Sequence, residues 1–419
     1  VLPELGPLAL GVDGPRKYLV MAESSDEIRP SGGLVSGAWI LTFNEGVLQN
    51  STYHDVVEID DLTNLESYPA PPNLLAVHMD ASVWLLRDVG WDPHFPSVAR
   101  SSADIVALGQ DGLRVDGVVA LTQWAMIGLV DALRSINTDR GIIPADGILN
   151  VLEVGTDEDG RAFMNSILQG LLDQLSGSRI NGRLFQLAHS SSQALNEKQI
   201  LVHMFDDDLQ AIVSESGWDG GITDFTGDRI TLVDSNIGWS KVDRNIDRSL
   251  EYEVTLNRTK PSIARVTAGY KNRSFPEASE CDAQRLRTGV SYSDLKNTCY
   301  WNLLRIYTAD GVGLISADPL PLPGNSILAA QGLSGAGDDT VAPGSDPGGF
   351  FVGGLIVVPP GGERRTSFTL QLPDSVVEWD EGLATYTLDL YAQPGTRGRD
   401  TMIWVEMPVD YEYVDGSVK

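Results

Sequence analysis

Glu27-Ile28-Arg29-Pro30-Ser31-Gly32-Gly33 follows the apolar run Tyr18-Leu19-Val20-Met21-Ala22. It combines a carboxylate, a guanidinium, a rigid proline and two glycines with bare backbone amides. Such a set can grip an anion, because a planar guanidinium matches phosphate or carboxylate oxygens bidentately and glycine lets the backbone approach closely. The same residues also make a rigid turn oriented by a local Glu27–Arg29 ion pair. A second pair, Arg87-Asp88, ends the apolar, strand-like run from Val83 to Leu86. It would either contribute to the same anion site or pair with Glu27 and Arg29 and lock two loops together. Arg161 falls in the first turn of a predicted helix, where the dipole disfavours a cation. It therefore calls for an anionic partner, either Asp157 to Asp159 or a ligand.

Other candidate chemistries find little support. His54, His78, His94, His189 and His203 lack metal-ligand spacing, and no metal site is expected. Asp206-Asp207-Asp208 lacks the glycine and terminal glutamate of a calcium loop and reads as an acidic helix start. No Gly-x-Ser-x-Gly elbow occurs, and Ser190 to Ser192 after His189 have no feature of a nucleophile. No catalytic residue is assigned on the residues alone. Trp91, Trp218, Trp239 and Trp301 read as core or interface anchors rather than a sugar platform. Cys281 and Cys299 are the two cysteines, and a disulfide closing the loop between them would contribute about 3 kcal/mol by loop entropy. Asn50, Asn257 and Asn272 begin Asn-x-Ser/Thr triplets and are candidate glycosylation sites on surface loops or strand ends.

The composition narrows the partners. Over 419 residues, 58 acidic against 30 basic side chains give a net charge of -28, a field that repels nucleic acid and anionic membranes. No run approaches the roughly 18 to 20 apolar residues of a membrane helix, so no transmembrane segment is expected in this chain. The chain begins at Val1 and has no basic region followed by an apolar core, which reads as a processed product. Together with the cysteine pair and the triplets, this points to an extracellular or cell-surface location.

Hydrophobic periodicity then supplies the elements that would position these groups. Lys17 to Ala22, Leu34 to Phe43 and Gly46 to Asn50 read as strands, the last two joined at Asn44-Glu45. Phe95 to Gly109 reads as a helix, Val115 to Leu121 as a buried strand, and Thr122 as the cap of a helix running to about Ile136. A capped helix begins at Thr156, with Met164, Ile167, Leu168, Leu171, Leu172 and Leu175 along one face. A helix over Asn181 to Leu195, a strand over Ile200 to Phe205, a helix opened by Asp206 and a strand over Asp228 to Val233 follow. Beyond about residue 246 the period becomes two, in Leu250 to Leu256, Ile263 to Tyr270, Tyr300 to Tyr307, Thr366 to Leu372, Tyr386 to Tyr391 and Met402 to Met407. The expected fold is α+β and multidomain. An N-terminal α/β sandwich domain spans residues 1–245, and a C-terminal β-sandwich spans residues 246–419, with a long Gly/Pro-rich loop at 319–349.

Several segments in order resemble the bacterial family called domain of unknown function 4012. They are Tyr18-Leu19-Val20 with Glu27 to Gly33, Leu86-Arg87-Asp88 with Trp91 and Phe95-Pro96, and Val115-Asp116-Gly117-Val118. Asp159-Gly160-Arg161, Gly217-Trp218-Asp219-Gly220, Ser235-Asn236, Lys241-Val242 and Leu304-Arg305-Ile306-Tyr307 continue the series. The resemblance implies a cell-envelope or secreted protein with no established reaction. The α/β half is also distantly similar to the LytR-CpsA-Psr family, which transfers polyprenyl-diphosphate-linked glycans to the cell wall. That likeness implies that Arg29 and Arg87 grip phosphates, that Glu27 and Asp88 hold Mg²⁺, and that Arg161 adds a third positive contact. The chain departs from the DUF4012 pattern at Ser24, Ser25 and Gly90, where Asn is usual, and at His94, where Asp is usual.

Two functional expectations follow. The first is a secreted or cell-surface structural protein that self-associates into a filament or layer, without enzymatic activity or cofactor, whose partners are copies of itself. The alternative is a Mg-dependent binder of polyprenyl phosphate, or a glycan phosphotransferase of the cell envelope, with envelope glycans as partners. There the site residues would be Glu27, Arg29, Arg87, Asp88 and Arg161.

Overall fold

The structure is a computed structural model that describes residues 2–148, 150, 160–176, 183–222, 225–318, 320, 322–331, 341–380 and 382–417. It is a mixed α/β protein with several sheets. The chain divides into two compact units: Val1–Ile222 with Gln393–Arg397, and Thr223–Ala392 with Gly398–Lys419.

In the first unit, a five-stranded sheet is built from β1 (Arg16–Arg29), β2 (Gly32–Asn44), β3 (Val47–Asp55), β4 (Gly117–Thr122) and β7 (Ile200–Met204), in the order β3-β2-β1-β4-β7. A separate hairpin pairs β5 (Ser135–Thr138) with β6 (Gly141–Pro144). β1 pairs antiparallel with β2 and parallel with β4, so its register with β4 runs from Tyr18↔Gly117 to Glu23↔Thr122. Buried on both faces, β1 has no polar face to show, which is why Tyr18 to Ala22 read as a continuous apolar run. The hairpin between β2 and β3 turns at Glu45 and Gly46, both at positive φ.

Helix α1 (Phe95–Gly109) has the bounds expected from its period, and packs Phe95, Val98, Ala99 and Ile105 with Leu19, Met21 and Val118. Helix α2 (Gln123–Leu133) starts as expected at Thr122, whose hydroxyl accepts from the Ala125 N–H at 3.3 Å. It ends at Leu133 rather than Ile136, because Ile136 lies within β5. Helix α3 (Gly160–Ser176) buries Ile167, Leu168 and Leu171 beside Tyr18, Val20 and Trp39, while the predicted Thr156 start lies outside the described residues. Helices α4 (Leu184–Asn196) and α5 (Asp207–Glu215) complete the unit, the latter capped by Asp206 as its sequence implied. Val83 to Leu86 is not a strand: residues Leu86–Trp91 form a short 3₁₀ turn that carries Arg87 and Asp88 beside β2.

The second unit holds two five-stranded sheets. One contains β9 (Ile246–Thr255), β10 (Ile263–Asn272), β12 (Gly313–Ala317), β15 (Glu363–Gln371) and β19 (Asp400–Glu406), in the order β12-β15-β10-β9-β19. The other contains β8 (Asp228–Asn236), β11 (Tyr300–Thr308), β13 (Ala342–Asp346), β14 (Gly349–Val358) and β18 (Leu388–Leu390), in the order β13-β14-β11-β8-β18. Leu250, Tyr252, Val266 and Phe368 of the first meet Leu232, Leu304, Ile306 and Val352 of the second in one apolar core. β16 (Val377–Asp380) and β17 (Leu383–Tyr386) form a small hairpin. β8 bonds along β11, so the division falls at Ile222 and not at residue 245. The expected loop over 319–349 contains a turn of helix at Ile327–Ala330 and the edge strand β13. Cys281 and Cys299 are disulfide-bonded.

Candidate functional site

β1 carries Glu27 and Arg29 past the point where its pairing with β4 ends, and the 3₁₀ turn brings Asp88 and Arg87 to the same place. Arg29 Nε and Nη2 donate to Asp88 Oδ1 at 3.0 and 2.7 Å, and Nη2 also donates to Glu27 Oε1 at 2.9 Å. Arg87 Nε closes the set on Asp88 Oδ2 at 3.2 Å. Four of the five residues named from the sequence therefore converge. Arg161 lies in the first turn of α3, and its side chain is outside the described set.

Burial decides what this cluster can do. Arg29 is 0% exposed, whereas the Arg87 side chain is 39% exposed. Burial works against the charge of Arg29, but Asp88 and Glu27 more than restore it and hold its pKa above the ordinary range. Arg29 is thus an internal prop that fixes Asp88, and Asp88 in turn orients Arg87 outward. The loop 30–33 docks on the turn: Ser31 N and Oγ donate to the Gly90 carbonyl at 3.2 and 3.3 Å. A Cβ at Gly90, where the family pattern has asparagine, would lie 2.9 Å from Ser31 Oγ, so the serine hydroxyl would have to shift. Gly32 has φ 151, and a Cβ there would lie 1.8 Å from Glu23 Oε2. His94 meanwhile accepts the Ile222 N–H at Nδ1, 3.0 Å away, and burial lowers its pKa.

Sequence reasoning missed three features. Gln393 donates to the Arg29 carbonyl at 3.1 Å, Trp124 Nε1 donates to the Gly395 carbonyl at 3.0 Å, and Gln199 donates to the Thr396 carbonyl at 2.9 Å. Residues 393–397, distant in sequence, thereby strap the end of β1. Arg397 stacks on the Trp124 ring at 4.3 Å. Buried carboxyls beside the site form the second feature: burial pushes Glu23 well above the usual carboxylate range, against the pull of the Gly33 N–H, and pushes Asp60 up to about 6. The sequence carried no hint of either, since Glu23 follows the end of the predicted strand at Ala22 and opens a polar run. The third is a polar core in the second unit, where buried Asp234 accepts from Arg248, Arg399, Tyr270 and Asn302 at 2.9, 2.8, 2.5 and 2.8 Å.

Among the described residues no three His, Cys, Asp or Glu side chains form a metal-binding group. Glu27 and Asp88, the carboxylates that the LytR-CpsA-Psr likeness assigned to Mg²⁺, are ion-paired to Arg29 at 2.9 and 2.7 Å. Among the glycosylation candidates, Asn50 is exposed. Asn272 is fully buried and donates to the Thr298 and Val358 carbonyls at 2.9 and 3.1 Å, which leaves no path for a glycan in the folded chain. Trp91 and Trp301 lie in the core as expected.

No curated protein matches the chain. Solved structures similar to it include protein gbs0355 from Streptococcus agalactiae, at 13% identity over 51% of this chain and 77% of that one, with a TM-score of 0.32. TagV of B. subtilis matches at 12% identity over 49% of this chain and 81% of its own, with a TM-score of 0.30. A structure described as TagT bound to LI-WTA matches at 11% identity over 49% and 75%, with a TM-score of 0.28. Residues 13–155, which hold β1 to β4 and the Arg29 cluster, match the family described as Protein of unknown function (DUF4012), the resemblance carried by the segments from Tyr18 to Val118.

Proposed function

We propose that the first unit is a cell-envelope binding domain for a polyprenyl-phosphate-linked glycan, working extracellularly without transfer chemistry at the Arg29 cluster. The observation that carries this reading is the convergence of Glu27, Arg29, Arg87 and Asp88 from two distant segments where β1 outruns its parallel partner. Ends of parallel strands are where α/β sheets receive ligands. Arg87 is the group that meets the phosphate, and Arg29 positions it through Asp88. Transfer chemistry is left out of this reading because Arg29, enclosed by the fold, does not itself reach a ligand. In a flotation assay, the protein is expected to bind vesicles containing undecaprenyl phosphate over plain vesicles, and Arg87→Ala to weaken binding about tenfold, the worth of one charge-assisted contact. Equal binding to both vesicle types would end this reading.

A second reading is a surface protein that assembles with copies of itself, favoured by β19. We read the second unit as a β-sandwich whose edge strand is open. Every residue of β19 is exposed, including Ile403 at 42% and Trp404 at 46%, and among the described residues its one strand partner is β9. Its other edge presents unpaired backbone groups beside apolar side chains, a template for another strand. Sedimentation velocity and electron microscopy are expected to show oligomers that Ile403→Lys with Val405→Lys abolishes. A monomer at every concentration would refute it.

A further inference from the structure

Helices α2 and α4 of the first unit lie against each other where Ser190 Oγ donates to the Gly128 carbonyl at 2.8 Å, and beyond this contact they part into a groove of about 550 Å³. Its lining includes Asp131, Arg134, Arg183, Phe185, His189 and Gln193. Two guanidinium groups against one carboxylate make this groove cationic in a chain with 58 acids and 30 bases. Arg134, at φ 67, turns the chain as α2 ends, and Arg183 precedes α4 and donates to the Leu133 carbonyl. Four residues apart on α4, the Phe185 and His189 rings lie 6.5 Å apart with planes within 4° of parallel. Phe185 is 80% exposed, a cost that burial in a core would have removed.

We infer that this groove is a second binding site, for a phosphorylated or otherwise anionic sugar. The Phe185–His189 face matches the apolar C–H face of a pyranose, the arginines match phosphate oxygens, and Gln193 offers both donor and acceptor to hydroxyls. The volume falls in the range of small-molecule sites, about 300 to 1,000 Å³. The site uses none of the residues of the Arg29 cluster, so it stands or falls apart from the phosphate reading above.

Titration calorimetry with glucose 1-phosphate, glucose and inorganic phosphate tests it on the intact chain. Glucose 1-phosphate is expected to bind at least tenfold more tightly than either component, with affinity falling as salt rises. Phe185→Ala and Arg134→Ala, both at exposed positions, are each expected to weaken binding fivefold or more while far-UV circular dichroism stays unchanged. Loss of binding in Arg87→Ala with binding retained in both groove variants would place the ligand at the Arg29 cluster and overturn the inference. Absence of binding, equal affinity for phosphate alone, or binding indifferent to both groove variants would overturn the inference.

Discussion

At the residue scale, the first unit encloses carboxyls beside its site, and they make its stability depend on pH. Asp60 accepts the Leu86 N–H at 3.1 Å, and burial holds its pKa at about 6, above the usual aspartate range. The native state therefore keeps a proton that the unfolded chain releases near pH 4, and stability falls as pH rises from about 4 to 6. Asp60→Asn retains the acceptor and removes the charge. It is expected to stabilise the protein by on the order of 1 kcal/mol at pH 8 and to change nothing at pH 4, as thermal melts at both values would show. A larger gain at pH 4 would contradict this. Glu23, raised in the same direction, adds to the same trend. Nothing in the sequence around Asp60 marks it as buried, because that burial comes from the turn at Leu86.

At the scale of elements, the strands of the second unit are held by polar bonds as well as by their apolar core. Asp234 on β8 joins Arg248 on β9, Tyr270 on β10, Asn302 on β11 and Arg399 just before β19. Burial pushes the Asp234 pKa up, but Arg399 and Arg248 more than reverse this and leave it lowered. Asp234→Ala would remove the carboxylate that Arg399 pairs with and leave Arg248 paired to Asp243, and a loss of about 3 kcal/mol in denaturant unfolding is expected. A loss under 1 kcal/mol would show that water replaces the carboxylate. The period-two runs foretold most of these strands, since alternation reports which face is buried. They did not reveal that four of them share one acid, because cross-strand partners depend on register.

At the scale of the whole molecule, the net charge of -28 opposes association between copies. If β19 receives another strand, salt must assist it, since charges are screened beyond about 8 Å at physiological ionic strength. The oligomers expected above should therefore grow between low and moderate salt, while phosphate binding at Arg87 should weaken over the same range. The opposite salt responses separate the two readings in one series of measurements.

Elements that rest on local chemistry were legible in the residues themselves. The bounds of α1, the Thr122 and Asp206 caps and the disulfide all follow from residues near one another in the chain, while the β2–β3 turn, expected at Asn44-Glu45, falls one residue later at Glu45-Gly46. The family likeness also grouped Glu27, Arg29, Arg87 and Asp88, together with Arg161, whose side chain lies outside the described residues. The enclosure of Arg29 beside an open Arg87, the strap of residues 393–397 over the end of β1 and the burial of Asn272 emerge from packing in three dimensions. Those outcomes depend on segments tens to hundreds of residues apart, whose packing fixes solvent access, and solvent access determines whether a charged side chain can meet a ligand or serves only to hold its neighbours.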